Sequence, residues 1–190
     1  MRREYVNLVK NVIVEEQEFS SAKTSRPQVP ALHAFVVKKN LIPTNALVLD
    51  YGGGKFDLGK EHIESSVEGA TLLVFDPFNR TEEHNNSVIS ILSRNKADVI
   101  LNANVLNVIK EKSARLEMLN DIKKYAKQGA KIFFSVYKAE RSSKYAETDQ
   151  YVGQQTSDGW QNAQPTSFYL PEVKEVFPSA IIRNNIIVAE

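Results

Sequence analysis

The chain has 190 residues, with 24 Lys and Arg against 23 Asp and Glu, a net charge of +1 and no cysteine. That length accommodates one domain with a sizeable core, or a domain with a short extension. The balanced charge excludes a strongly basic nucleic-acid coat, and the missing cysteine excludes disulfides, thiolate zinc sites, iron–sulfur radical chemistry and a cysteine nucleophile.

At the N-terminus, Asn7, Lys10 and Asn11 interrupt the apolar Val6, Leu8 and Val9, which is too polar for a signal-peptide core. The longest apolar runs, such as 132–137, are strand-length and do not span a bilayer. A soluble cytoplasmic protein with no membrane partner is expected. Tyr5, Leu8, Val9, Val12 and Ile13 recur at helical spacing, Glu15, Glu16 and Glu18 form an acidic patch, and 20–30 reads as a loop. Leu32, Phe35 and Val36 predict a short helix over 31–39.

From Ala46 the pattern alternates between strands and helices. Residues 46–49 form an apolar run closed by Asp50 and followed by Gly52, Gly53 and Gly54. Asp57 is placed to cap a helix running to about Val67, with Gly69 as its stop. A second strand over 71–75 ends at Asp76-Pro77, and Val88, Ile89 and Leu92 suggest a short helix or turn. A third strand over 97–101 ends in Asn102-Ala103-Asn104. Leu116, Leu119, Ile122 and Ala126 predict a helix over 110–128 stopped by Gly129, and 130–137 reads as a fourth strand. Residues 138–167 are too long for a routine connector. A helix over 170–177, with Pro171 in its first turn, precedes two short strands around Arg183-Asn184-Asn185. Alternating strands and helices imply an α/β fold, a mainly parallel sheet covered on both faces with ligands at the strands' carboxyl ends. Asp50, Asp76, Asn102 and Tyr137-Lys138 all fall at such ends.

A glycine turn after a strand lets backbone approach a ligand closely. Asp57 stands where a dinucleotide fingerprint needs its third glycine, and Gly54-Lys55-Phe56 is not a P-loop. Asp50 and Asp57 would repel a pyrophosphate, whereas a cationic cofactor would gain from them. Leu49-Asp50-Tyr51-Gly52-Gly53-Gly54 resembles the first motif of class I S-adenosylmethionine (SAM)-dependent methyltransferases, and Asp76, 26 positions on, matches the acid that in this superfamily holds the ribose hydroxyls. The third glycine of the fuller motif is replaced by Phe56.

A wider series occurs in order: Lys23-Thr24-Ser25-Arg26-Pro27, the glycine motif, Phe75-Asp76-Pro77-Phe78, Ala97-Asp98-Val99-Ile100 and Asn104-Val105-Leu106-Asn107-Val108-Ile109. It resembles small methyltransferase-domain proteins of phages and mobile elements, which are similar to methyltransferase-like proteins associated with DNA phosphorothioation. The resemblance implies a three-layer Rossmann-like sheet, mostly parallel, with a C-terminal antiparallel hairpin. It implies SAM as cofactor, S-adenosylhomocysteine as product and, for a phage-encoded protein, the host cytoplasm. A full core of this class fits a helix, a strand and another helix between its second acid and the next strand; only 22 positions separate Asp76 from Asp98, so a shortened middle is expected.

On this reading residues 1–30 are an N-terminal extension or cap and 31–190 a single SAM-binding domain. Asp50, Tyr51, Gly52, Gly53, Gly54, Asp76, Pro77, Phe78 and Asn102 are the expected cofactor residues. Asn102, Asn104 and Asp158 are the catalytic candidates, although both asparagines equally suit local turn capping. Lys23, Arg26, Trp160, Gln161 and Asn162 are the substrate candidates: Trp160 either stacks on a planar acceptor or anchors a loop to the core. His33, His62 and His84 lack metal-ligand spacing, so no metal is expected, and His33 reads as structural. Three functions remain open: methyl transfer to a nucleic acid or nucleotide, methyl transfer to a small molecule or protein, and non-catalytic SAM-fold binding. Oligomeric state is left open.

Overall fold

The strands obey a two-residue alternation, and this builds the layers. A computed structural model describes residues 17–148 and 151–190; the expected helix over residues 5–13 and the acids Glu15 and Glu16 lie outside them. In strand β1 (Leu47–Tyr51) Val48 faces one side of the sheet and Leu49 the other. Val48, Val74, Val99 and Phe133 pack with Leu32 and Val36 of helix α1 (Ala31–Lys38) and Ile63 of α2 (Leu58–Ser66). Leu49, Ile100 and Phe134 pack with α3 (Glu82–Arg94), α4 (Lys112–Tyr125) and α5 (Thr166–Val176). Two helical layers therefore sandwich one sheet.

That sheet has the order β2-β1-β3-β4-β9-β8. Strands β1, β2 (Thr71–Phe75), β3 (Ala97–Ala103) and β4 (Ala126–Ser135) are parallel. β9 (Ile186–Ala189) joins β4 antiparallel and pairs with β8 (Ile181–Arg183). Asn184 and Asn185, at φ 51° and 59°, make the two-residue turn that the hairpin twist favours. A small antiparallel sheet, β5 (Ala146–Glu147), β6 (Val152–Thr156) and β7 (Gly159–Gln161), occupies the segment 138–167 that is too long for a routine connector. Among the described residues no helix is long and apolar enough to cross a membrane.

Three element bounds differ from expectation. The segment around Val88 is a 13-residue helix, capped by Thr81 Oγ1 accepting from the His84 amide. α4 ends at Tyr125 and the chain runs straight into β4, so Gly129 lies in a strand rather than stopping a helix. α5 begins four residues before Leu170, which puts Pro171 inside it rather than in its first turn.

The middle is short as expected: only α3 connects β2 to β3, leaving β2 at the sheet edge. Side chains meet most of the outward backbone groups of this edge. Glu64 Oε1 accepts from the Leu72 amide at 2.9 Å and Lys60 Nζ donates to the Leu72 carbonyl at 2.8 Å. A ring nitrogen of His84 lies 2.7 Å from the Val74 carbonyl, while Asn85 accepts from the Asp76 amide and donates to its carbonyl. Residues 72, 74 and 76 are the alternate positions that a neighbouring strand would have paired.

Candidate functional site

The turns after β1 and β2 form one hydrogen-bonded unit. Gly52 and Gly54 adopt φ 81° and 74°, and a Cβ at Gly53 would lie 2.8 Å from Val74 Cγ1, so glycine is required on both conformational and steric grounds. The Gly52 amide donates to the Phe75 carbonyl at 2.7 Å, and the Gly54 amide to Asp76 Oδ2 at 2.8 Å. Asp76 Oδ1 accepts from the amides of Phe78 and Asn79 at 2.9 and 2.8 Å. Arg80 then reaches back, donating from Nε to the Gly54 carbonyl and from Nη2 to Asp57 Oδ1, each at 2.7 Å. Asp57 occupies the helix-cap position, but its carboxylate is used on Arg80 and makes no cap bond.

Asp50, at the end of β1, is 3% exposed, and its Oδ2 lies 2.8 Å from His33 Nε2. Its Oδ1 is buried and has no hydrogen-bond partner. The next residue, Tyr51, points to the opposite face of the sheet and donates its hydroxyl to Asp121 Oδ2 on α4 at 3.1 Å. Burial holds the Asp121 carboxyl above its ordinary range, and burial together with the Asp121 charge pushes the Tyr51 phenol well above its own.

These groups open onto one cavity of about 610 Å³, within the ~300–1,000 Å³ range of small-ligand sites. Among its described lining residues are four aspartates, Asp50, Asp76, Asp121 and Asp158, against one arginine, Arg26, and no lysine. Gly52, Gly53, Gly54, Tyr51, Pro77 and Phe78 also line it, as do Asn104, Trp160 and Gln161.

Three expected site residues do not line the cavity. Asn102 is fully buried beneath it, donating from Nδ2 to the Tyr51 carbonyl at 2.9 Å, which makes it a strut between β3 and β1. Asn162 is also fully buried, donating to the Leu106 and Ile109 carbonyls and accepting from Trp160 Nε1. Lys23 is exposed and points elsewhere. Gln161 does reach the cavity, yet its amide also donates to the Asn107 and Tyr137 carbonyls at 3.3 Å. The Trp160-Gln161-Asn162 run thus fastens the β6–β7 hairpin onto the 3-10 turn Leu106–Val108.

Trp160 anchors rather than stacks freely. It is 6% exposed, Phe19 stacks on it at 5.4 Å between ring centroids, and Tyr151 meets it edge-on at 5.5 Å. Lys110 Nζ lies 4.3 Å from the Tyr151 ring centroid and 5.2 Å from that of Trp160, and pairs with Glu18. Residues within 17–30 and the β6–β7 hairpin line the cavity. Ser25 Oγ accepts from the Lys55 amide beside the glycine turn, and Arg26 pairs with Asp158 across the mouth. The cavity-lining aromatic left open is Tyr137, 62% exposed just beyond β4.

No protein-family model and no curated protein matches the chain. Solved structures do. A SAM-dependent methyltransferase from Aquifex aeolicus is 14% identical, over 85% of this chain and 89% of that one, with a TM-score of 0.50. Human N-acetylserotonin methyltransferase, solved with SAM, is 14% identical over 84% of this chain and 51% of its own, with a TM-score of 0.51. The chain has the fold of the SAM-dependent methyltransferases. It spans about half the length of the human enzyme and 35% of coclaurine N-methyltransferase, which matches at 12% identity and a TM-score of 0.41. Within this methyltransferase fold, the glycine turn, Asp50 and Asp76 stand at the carboxyl ends of β1 and β2. His33, Arg80, Asp121 and Tyr137 join them there. Of these, Tyr137 alone carried a signal in the sequence, its place at a strand end; His33, Arg80 and Asp121 are brought in by tertiary packing.

Proposed function

We propose that the protein binds SAM and transfers its methyl group to a small acceptor. The observation that carries this reading is the unpartnered Oδ1 of buried Asp50 on the wall of an acid-lined glycine cradle. A buried carboxylate oxygen without a donor is costly, and a cationic ligand relieves that cost. SAM has an ammonium and a sulfonium, and it supplies an electrophilic methyl group when bound. Asp76 Oδ2 accepts one bond from the Gly54 amide and keeps a lone pair for a ribose hydroxyl. Gly52 to Gly54 allow the backbone to touch the cofactor, and Arg80 holds that turn rigid.

The acceptor most consistent with the acid-lined mouth is a single planar molecule of nucleotide size or smaller, stacking on Tyr137. A mobile-element origin and a nucleic-acid acceptor belong to the sequence resemblance; four carboxylates around the cavity weigh against a polyanionic duplex at the reacting centre. Calorimetry with SAM and S-adenosylhomocysteine tests the cofactor, and no heat at high protein concentration defeats the proposal. Labelled methyl transfer onto DNA, RNA, free nucleosides and a cell lysate then identifies the acceptor class. Binding without transfer to any of them would favour a non-catalytic SAM-binding role.

A further inference from the structure

The histidine behind Asp50 is placed with unusual economy. His33 is fully buried on α1, and its ring fills the space left by the missing side chain of Gly59, where a Cβ would lie 2.8 Å from its Cδ2 and 3.2 Å from Pro30 Cδ. Three elements therefore fix it: the end of the 17–30 segment, α1 and α2. Its Nδ1 is buried without a partner. A proton there would be a buried donor with no acceptor, so the favoured form carries its hydrogen on Nε2 and donates to Asp50 Oδ2. Through that bond the ring orients the carboxylate. Asp50 lines the cavity, and its Oδ1 is left as the uncommitted acceptor.

We propose that His33 is a positioning residue for cofactor binding, holding Asp50 so that Oδ1 receives the ammonium of the cofactor's amino-acid end. The proposal rests on the SAM reading and goes beyond it by separating the two ends of the ligand. Loss of His33 weakens recognition of the amino-acid end and leaves the nucleoside end, held at Asp76, unaffected.

The test compares SAM with 5′-methylthioadenosine, which lacks the amino-acid end, on wild type, His33→Phe, His33→Asn and His33→Gln. Calorimetry should show His33→Phe and His33→Asn losing about tenfold or more in SAM affinity, the scale of one charge-assisted contact. Their affinity for methylthioadenosine should stay within about twofold of wild type. Glutamine carries an amide N–H at a reach similar to Nε2, so His33→Gln should recover most of the loss. Circular dichroism confirms folding, and His33→Asn carries the test if the phenylalanine variant does not fold. Equal losses for both ligands, an unchanged SAM affinity, or a glutamine variant as weak as phenylalanine would overturn the role. A wild-type protein that binds methylthioadenosine and SAM equally would overturn it too, whereas wild type binding neither defeats the SAM reading itself.

Discussion

Arg26 Nη2 lies 2.8 Å from Asp158 Oδ2, joining residues 132 positions apart across the mouth of the cavity. Both side chains are substantially exposed, at 60% and 39%, so the pair adds little to stability, under about 1 kcal/mol. Its effect is on access. Asp158→Asn should leave the unfolding midpoint nearly unchanged and accelerate cofactor dissociation several-fold, as read by stopped-flow fluorescence. High salt should reproduce that acceleration in the wild type, because an exposed pair is screened. A dissociation rate insensitive to both would remove the latch from the mechanism.

Asp76 serves two turns at once, accepting from Gly54 on one oxygen and from Phe78 and Asn79 on the other. Asp76→Ala removes the acceptor and strands those amides, the Gly54 one buried, so SAM affinity should fall by at least about tenfold. Asp76→Asn keeps one carbonyl oxygen and should fall less. Retained affinity in the alanine variant would put the ribose elsewhere. Gly53→Ala should weaken binding by a separate route, since its Cβ would lie 2.5 Å from Asp50 Oδ2 and 2.8 Å from Val74 Cγ1.

Asp121 and Tyr51 set a pH dependence whose sign is fixed by burial. The Asp121 carboxyl is held above its unfolded value, so the native state retains its proton longer than the unfolded chain. Stability is then fullest below the unfolded carboxyl range and declines as pH rises through the raised native value. Asp121→Asn should flatten that decline, giving a higher melting temperature than wild type near pH 8 and convergence with it near pH 4. Tyr51 behaves in the same sense at alkaline pH, where ionising its buried phenol costs stability. Melting curves from pH 4 to 11 check both limbs.

Arg115 and Glu172 make a buried bidentate pair, with both N–O distances 2.8 Å and side-chain exposures of 2% and 8%. Arg115 also donates to the Ile109 and Lys110 carbonyls, so the pair ties α4 and α5 to the loop that carries the hairpin's docking site. Glu172→Ala leaves a buried guanidinium uncompensated and should cost about 3–5 kcal/mol in urea unfolding. Replacing both partners with methionine should recover much of it. A single variant within 1 kcal/mol of wild type would mean that water solvates the arginine.

The parts legible in the sequence are those with local causes. Apolar runs closed by Asp50 and Asp76 marked β1 and β2, and the three glycines marked the turn between β1 and α2. The Asn184-Asn185 pair marked the hairpin. The first half of α3 was hidden because Glu82, Glu83, His84, Asn85 and Asn86 offer no apolar stripe; two of them serve the sheet edge instead. Pro165, not Leu170, precedes α5, since a proline can end the extended approach while Pro171 is tolerated inside. Gln161 and Asn162 read as substrate contacts because the carbonyls they meet, those of Leu106, Asn107 and Ile109, lie more than fifty positions away, and Trp160 because the Phe19 ring stacked on it comes from the other end of the chain. His33 reads as structural, and Asp121 carries no signal, for the same reason: what each touches is decided by packing between α1, β1 and α4.

The side chains lined along β2 bear on how this protein meets other chains. With Glu64, Lys60, His84 and Asn85 already bonded to alternate backbone groups, an extended peptide or a second copy could add to that edge only by displacing several hydrogen bonds together. Strand addition at this flank of the sheet is thus disfavoured. Asn85, bonded to both backbone groups of Asp76, also helps to hold that acid beside the glycine turn without a further strand.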